Sequence, residues 1–204
     1  MQPQQVVGEG DPSAVRTFAP GEVILFPGAP TRLHRVTAGL VRVHTVDGEG
    51  NGLTLRYVKP GGFFGEEALC GKARRYFAEA VTATELEAIA PDELSPSLYA
   101  SLTEHLGEAM QVMYRSLTRL AGKRLKARIA AELLELRDSD LATIDEQGRA
   151  LVHITHDDLA AAVGSVRETV TKVVGELSRM GALTAGYGKI ALDDVDRLRE
   201  VAGE

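Results

Sequence analysis

Two stretches of this 204-residue chain carry residues whose types and spacing can do chemistry. The first is residues 164–172, Gly-Ser-Val-Arg-Glu-Thr-Val-Thr-Lys. Just upstream, Thr155 can cap a short helix whose Leu159 and Val163 lie four apart on one face. Gly164 permits the tight turn that joins two helices at a steep angle. Ser165 and Glu168 match an S-x-x-E capping box, which predicts a new helix start. In that second helix Val170, Val173, Val174 and Leu177 keep helical spacing and are predicted to face the core. The opposite face presents Arg167, Glu168, Thr171 and Lys172. Arg167 can donate two hydrogen bonds to a guanine O6/N7 edge, Glu168 can accept from a cytosine N4 amine, and Lys172 can meet a guanine or a phosphate. Thr155, Ser165 and Thr169 offer hydroxyls to phosphates beside helix N-terminal N–H groups. This is the chemistry of reading double-stranded DNA through the major groove. A charged outer face belongs to any amphipathic helix, and Glu168 can also cap while pairing with Lys172. Arg, Glu and Lys on a capped helix start after a glycine turn are more specific than that.

The second stretch is Gly61-Gly62-Phe63-Phe64-Gly65-Glu66. Backbone N–H groups of a Gly-rich loop can cradle a phosphate, Glu66 can accept from a ribose 2′-hydroxyl, and Arg74 or Arg75 can neutralise the phosphate. The same residues also fit a plain corner of a β-barrel, with Glu66 pairing Arg74.

Several elements must position these groups. Residues 1–16 are Gln-, Gly- and Pro-containing and predicted to be a mobile N-terminus. From Thr17 the chain alternates short apolar runs with Gly and Pro: Val23–Phe26 before Pro27-Gly28, Leu40–Val43 before Asp47-Gly48 and Asn51-Gly52, then Leu53–Val58 and Ala78–Ile89. Asp-Gly and Asn-Gly pairs between apolar runs predict hairpins, and many short strands predict an antiparallel sandwich or barrel over 17–96. After Pro96 the pattern turns helical. Leu102, Leu106, Ala109, Met113, Ser116 and Leu120 repeat at spacings of four and three, an a/d seam of about three heptads. This predicts a dimerisation helix over 97–122, and Leu98, Met110 and Leu117 widen the stripe enough for it also to pack on its own β-domain. A basic stretch follows, Arg115, Arg119, Lys123, Arg124, Lys126 and Arg128, read as a solvated helix end rather than a DNA contact. Gly122 marks a hinge, 127–136 a helix, and 138–150 a polar loop. Leu183 to Leu192, with Gly186 and Gly188 inside, predicts a hairpin wing whose Lys189 can reach a phosphate. Residues 123–204 thus make a DNA-binding domain, and the whole is an α+β chain.

Composition narrows the function classes. A net charge of −6 argues only weakly against nucleic acid, because local placement of Arg167 and Lys172 governs phosphate contact. No apolar run approaches a membrane span, so cytoplasm is the default location. The single cysteine, Cys70, excludes an intramolecular disulfide and an iron–sulfur cluster, and reads as a small buried hydrophobe. Two histidines, His34 and His44, in the first hundred residues fall short of a cupin metal site. No Ser-His-Asp elbow or P-loop is present, so the chain does not read as an enzyme.

Ile154-Thr155, Leu159, Val163-Gly164 and Arg167-Glu168-Thr169-Val170 resemble the helix-turn-helix of the cyclic-AMP receptor protein and fumarate–nitrate regulator (CRP/FNR) superfamily. Phe63–Leu69 and Ala161–Val173 look like its SdrP-type stress-response branch. The resemblance covers nearly the whole chain. It implies an N-terminal jelly-roll β-barrel of the cyclic-nucleotide-binding type, a long dimerisation helix and a C-terminal winged helix-turn-helix. It further implies a homodimeric regulator on inverted TGTGA-like half-sites, activation through RNA polymerase as the default, and 3′,5′-cyclic AMP as an effector. Gly65-Glu66 match the family's phosphate cassette and Arg74 its arginine. Arg75 and Tyr76 stand where small residues are usual, and Met113-Tyr114 replace the Thr-Ser pair that touches adenine. Two readings therefore stand: a cyclic-nucleotide switch, and a dimer competent without effector and controlled by its abundance, with Tyr76 or Tyr114 filling the pocket.

Overall fold

The computed structural model describes residues 15–203. The expected mobile N-terminus falls almost wholly outside them; Arg16 already starts a strand. The chain divides into two compact units. One is the chain up to Val43 with Tyr57–Ala109, and the other is His44–Arg56 with the chain from Met110 onward.

The first half of the chain forms two four-stranded sheets. In chain order the strands are β1 (Arg16–Phe18), β2 (Val23–Leu25), β3 (Leu33–Ala38), β4 (Val41–Val46), β5 (Gly52–Val58), β6 (Phe63–Phe64), β7 (Phe77–Ala80) and β8 (Thr84–Ile89). The sheet orders are β1-β8-β3-β6 and β2-β7-β4-β5, a jelly-roll-like arrangement, with the outer parts of β4 and β5 grouped in the second unit. Alternation drives it: in β8 Thr84 and Leu86 are buried while Glu85 and Glu87 face water, and in β4 Val41 and Val43 are buried. The predicted single strand over 78–89 is two strands in different sheets. Between them Val81 N–H donates to Leu40 O (2.8 Å) and Thr82 Oγ1 accepts from Leu40 N–H (3.0 Å), holding the crossing chain against the start of β4. The predicted hairpin forms at 47–51, where Asp47 Oδ1 accepts from the N–H groups of Glu49 and Asn51.

Helix α1 (Pro96–Gly122) runs through the boundary of the two units. Its first half packs on its own β-sheets: Leu102 joins Leu33, Phe63 and Ile89, with Leu94, Leu98 and Leu106 around them. Here the predicted seam needs correction. Leu102 is 2% and Ala109 8% exposed within one chain, so neither has surface left to give a partner. The exposed large apolar residues of α1 are Tyr99, Met110, Met113, Tyr114 and Leu117, of which Met113 belongs to the predicted seam. The physical reason is the width of the stripe: it serves two surfaces, and spacing alone does not show that Leu102 and Ala109 lie on the side buried within the protomer.

The second unit holds α2 (Leu125–Arg137), β9 (Ala142–Ile144), β10 (Ala150–Val152), α3 (His156–Val163), α4 (Arg167–Arg179), β11 (Leu183–Gly186), β12 (Lys189–Leu192) and α5 (Val195–Ala202). The strands form one antiparallel sheet, β11-β12-β10-β9. The expected polar loop 138–150 therefore contains a strand, turned by Asp145, whose Oδ1 accepts from Gln147 and Arg149 N–H. Helix α5, absent from the sequence reading, is capped by Asp194 and buries Leu198 and Ala202. Helix α2 buries Ile129, Ala130, Ala131, Leu133, Leu134 and Leu136 and forms the centre of the unit. Of the basic stretch, Arg115 and Arg124 are exposed, as a solvated end would be, whereas the other four residues make internal ties. Arg119 pairs with Glu135 (2.6 Å), Lys126 with Glu176 (2.6 Å), Arg128 donates to Leu120 O and Lys123 to Ala202 O.

Candidate nucleic-acid interface and sensor pocket

Helix α3 starts as its sequence dictates. Thr155 Oγ1 accepts from Asp158 N–H (3.1 Å) and donates to Asp158 Oδ2 (2.6 Å). It ends at Gly164, whose φ of +62° is left-handed and whose missing Cβ would lie 2.8 Å from Leu120 Cδ2. The predicted Ser165–Glu168 capping box does not form. Ser165 N–H donates back to Ala160 O (3.0 Å), so its backbone still closes α3. The N-cap of α4 is Val166, without a side-chain cap bond, and α4 begins at Arg167.

On α4, Val170, Val174 and Leu177 are buried, as the spacing predicts, and Val173 is half-buried. Arg167, Glu168, Thr169, Thr171 and Lys172 are all exposed, with Thr155 exposed and Ser165 half-buried nearby in sequence. The first turn of α4 thus offers one cation, one anion and a hydroxyl to an incoming ligand, with a second hydroxyl and a second cation one turn on. Lys189 is exposed at the start of β12, in the hairpin whose turn carries Gly188 (φ +64°) and a fully exposed Tyr187. Two ties across the helix pair escaped the sequence reading. Arg167 NH1 donates to Asp157 Oδ2 at 2.8 Å, and His156 Nδ1 lies 2.9 Å from Thr171 Oγ1. In the sequence, Asp157 and His156 look only like ordinary first-turn residues of a helix.

The sensor residues meet in the first unit. Gly65 (φ +85°) precedes a short 3-10 helix, Glu66–Leu69. Its backbone passes so close to β3 that a Cβ would lie 2.8 Å from Arg32 O. Gly65, Glu66 and Arg74 gather around one side chain, Tyr76, while Arg75 is exposed. The buried Gly65 N–H donates to the Tyr76 hydroxyl oxygen (3.0 Å). That hydroxyl donates to Glu67 Oε2 (2.8 Å), with Glu66 Oε2 at 3.4 Å. Burial first, then the Glu66 and Glu67 carboxylates, raise the phenol far above its ordinary range, so it stays a neutral donor. Arg74 is 6% exposed; its Nε donates to Phe26 O (3.1 Å), and its NH1 has no hydrogen-bond partner. His34 stacks on Phe64 beneath this cluster, pushed down to about 4 by burial and then by the charges of Arg74, Arg16 and Arg32. Cys70 is exposed rather than buried, because it closes the 3-10 turn at the surface.

The chain thus carries a glycine-turned helix pair whose second helix has an exposed, charged first turn, and a jelly-roll-like domain with a glycine–glutamate–arginine cassette. The model of the Crp-like helix-turn-helix domain matches residues 127–201, and that of the cyclic nucleotide-binding domain matches residues 15–96. The transcriptional regulator SdrP of Thermus thermophilus is 54% identical over 189 residues, 91% of this chain and 93% of that protein. The chain belongs to the CRP/FNR family of transcription regulators. The regulator LdrP of the same species is 37% identical over 93% of this chain and 97% of its own length. The cAMP-activated global transcriptional regulator CRP of Haemophilus influenzae is 30% identical over 78% of this chain and 74% of its own. A crystal structure of a CRP/FNR-family transcriptional regulator from Thermus thermophilus superposes with a TM-score of 0.89 at 52% identity, covering 94% of this chain and 99% of that one. As a CRP/FNR-family member the chain is a DNA-binding transcription regulator with a cyclic-nucleotide-binding-type domain, and its relatives are regulators rather than enzymes. No helix among the described residues is long and apolar enough to cross a membrane.

Proposed function

We propose that this CRP/FNR-family chain acts as a cytoplasmic homodimer that reads palindromic promoter sites through α4. The exposed first turn of α4, with Arg167 and Glu168 on a helix whose other face is buried, carries this reading. Arg167 reads a guanine edge, Glu168 a cytosine amine, and Lys172 a guanine or phosphate. Thr155, Ser165, Thr169, Thr171 and Lys189 hold the backbone. Two recognition helices enter successive major grooves about 34 Å apart, which requires a twofold partner. The exposed Met110, Met113, Tyr114 and Leu117 on α1 are the surface for that second copy. Recruitment of RNA polymerase and control of stress-response genes complete this proposal. By function the chain divides into a sensor domain over 17–96, a dimerisation helix over 97–122 and a DNA-binding domain over 123–204.

Effector-independent competence is favoured over cyclic-AMP gating by one observation. The Gly65 N–H that a bound phosphate would use is already given to Tyr76, whose hydroxyl is flanked by two carboxylates. The test is fluorescence anisotropy on a ~30-base-pair duplex, long enough for both half-sites, with inverted TGTGA elements or a scrambled control, with and without cyclic AMP. Equal specific binding in both conditions supports the effector-independent reading, and binding only with nucleotide refutes it. Arg167→Ala should cost about 1–3 kcal/mol per half-site contact and relax base choice there. Uniform weakening across sequences would contradict the guanine assignment.

A further inference from the structure

Arg167 is not free in this chain. Its NH1 group donates to Asp157 Oδ2 at 2.8 Å, from the last helix of the pair to the first. Asp157 shares the first turn of α3 with Asp158. The cap of α3 is completed by Thr155 with Asp158, so the neighbouring carboxylate does the local work and Asp157 is left to reach across the turn. Both side chains are about 60% exposed, Arg167 at 62% and Asp157 at 61%, so in water the pair contributes little to stability. Its effect belongs to the moment when another surface covers it and water leaves, because hydrogen bonds to charged groups strengthen in a drier setting.

The geometry of a guanidinium gives the consequence. It carries five N–H donors in a fixed, planar fork. One bond to Asp157 leaves four, including a parallel pair able to meet O6 and N7 of a guanine. Without a second anchor the same long side chain can swing to any nearby phosphate, which rewards it equally on every sequence. A carboxylate beside it also repels phosphate. We propose that Asp157 is a positioning residue for base recognition: it holds Arg167 in a guanine-reading orientation and lowers affinity for DNA lacking that guanine. The proposal rests on Arg167 reading a base. It makes α3 a contributor to specificity through a side chain that touches no base itself. His156 against Thr171 (2.9 Å) is a parallel tie that fixes α3 and α4 one turn further along.

The test uses the full-length protein, anisotropy at one stated salt concentration, and two duplexes that differ only in the guanine of each half-site. Asp157→Ala should bind the guanine-less duplex several-fold more tightly and the intact site no better, so the ratio of the two affinities falls about tenfold, the worth of a good bidentate contact. Asp157→Asn keeps a neutral acceptor for NH1 and removes the charge. It should restore most of the ratio while tightening binding to both duplexes and steepening the salt dependence. The Thr155–Asp158 cap remains in both variants, so melting temperatures should stay within a few degrees of the parent. Equal tightening on both duplexes in Asp157→Ala would overturn the proposal, reducing Asp157 to bulk charge. An unchanged ratio would also overturn it. Arg167→Ala separates the two failures. If it relaxes base choice while Asp157→Ala does not, the positioning role alone fails; if Arg167→Ala leaves base choice intact, the base-reading assignment fails and the proposal falls with it.

Discussion

Replacing Tyr76 by Phe removes one oxygen from the centre of the sensor cluster, and the cost can be worked from its contacts. Gly65 is buried, and its N–H has the Tyr76 oxygen as its acceptor at 3.0 Å. Left unpaired, a buried donor costs about 1–3 kcal/mol. The second bond, to Glu67 Oε2 at 2.8 Å, is made to a half-buried carboxylate that water can rescue, so it adds about 1 kcal/mol. Together Y76F should destabilise by roughly 2–4 kcal/mol. For a chain of this length each kcal/mol lowers the melting temperature by about 2–4 °C, giving a fall of roughly 4–16 °C. Thermal melting at one fixed protein concentration measures this. A second arm adds cyclic AMP, then inorganic phosphate. Y76F frees the Gly65 donor, so either anion should raise the melting temperature of the variant more than that of the parent. A variant that melts within about a degree of the parent would refute the reasoning, since the hydroxyl would then not be satisfying Gly65.

Three further expectations follow from particular contacts. Gly164→Ala forces a Cβ into a left-handed turn and to within 2.8 Å of Leu120 Cδ2. It should cost about 1–2 kcal/mol by the αL penalty, measured by denaturant unfolding, with Gly164→Asn losing less. Glu132 lines a cavity of about 100 Å³ with Thr54, Arg119 and Arg128; it is pushed up to about 7 by burial first and then by Glu135, against the opposing pull of Arg119. A raised folded-state value means that stability is fully present below the unfolded carboxyl range and is lost as pH rises toward 7. E132Q should therefore match the parent near pH 4 and exceed it above pH 7 by up to about 3 kcal/mol; a pH-independent difference between the two would contradict this. Leu177→Ala, at a fully buried position of α4, should cost about 2–5 kcal/mol in the same unfolding assay.

Much of the recognition element is legible in the sequence because its determinants are local. Thr155, Gly164 and the spacing of Val170, Val174 and Leu177 act over one or two helical turns, and the structure keeps each of them. The capping box misled for an equally local reason: Ser165 finishes one helix and so cannot start the next. Element existence in the β-domain was readable from alternation and Asp-Gly signals, but the split at 81–83 was not, since an apolar run does not say which sheet it joins. Strand β9 escapes a sequence reading because three residues leave no period to detect, whereas α5 is legible: Val195, Leu198 and Ala202 keep helical spacing behind the Asp194 cap.

What the sequence determined by itself is therefore the set of parts: a strand-rich first half, a long apolar-striped helix, a glycine-turned helix pair, and a cassette in which Arg75 and Tyr76 stand where small residues are usual. What only the tertiary structure decided is how contacts distant in sequence divide those parts. Leu102 and Ala109 went to the protomer's own core, and Met110, Met113, Tyr114 and Leu117 went to the surface, because a helix stripe has no label for its partner. Tyr76 took the donor of Gly65, eleven positions away, and Asp157 took Arg167 ten positions on. Periodicity reports which face of an element is apolar; only packing fixes which atom fills which site.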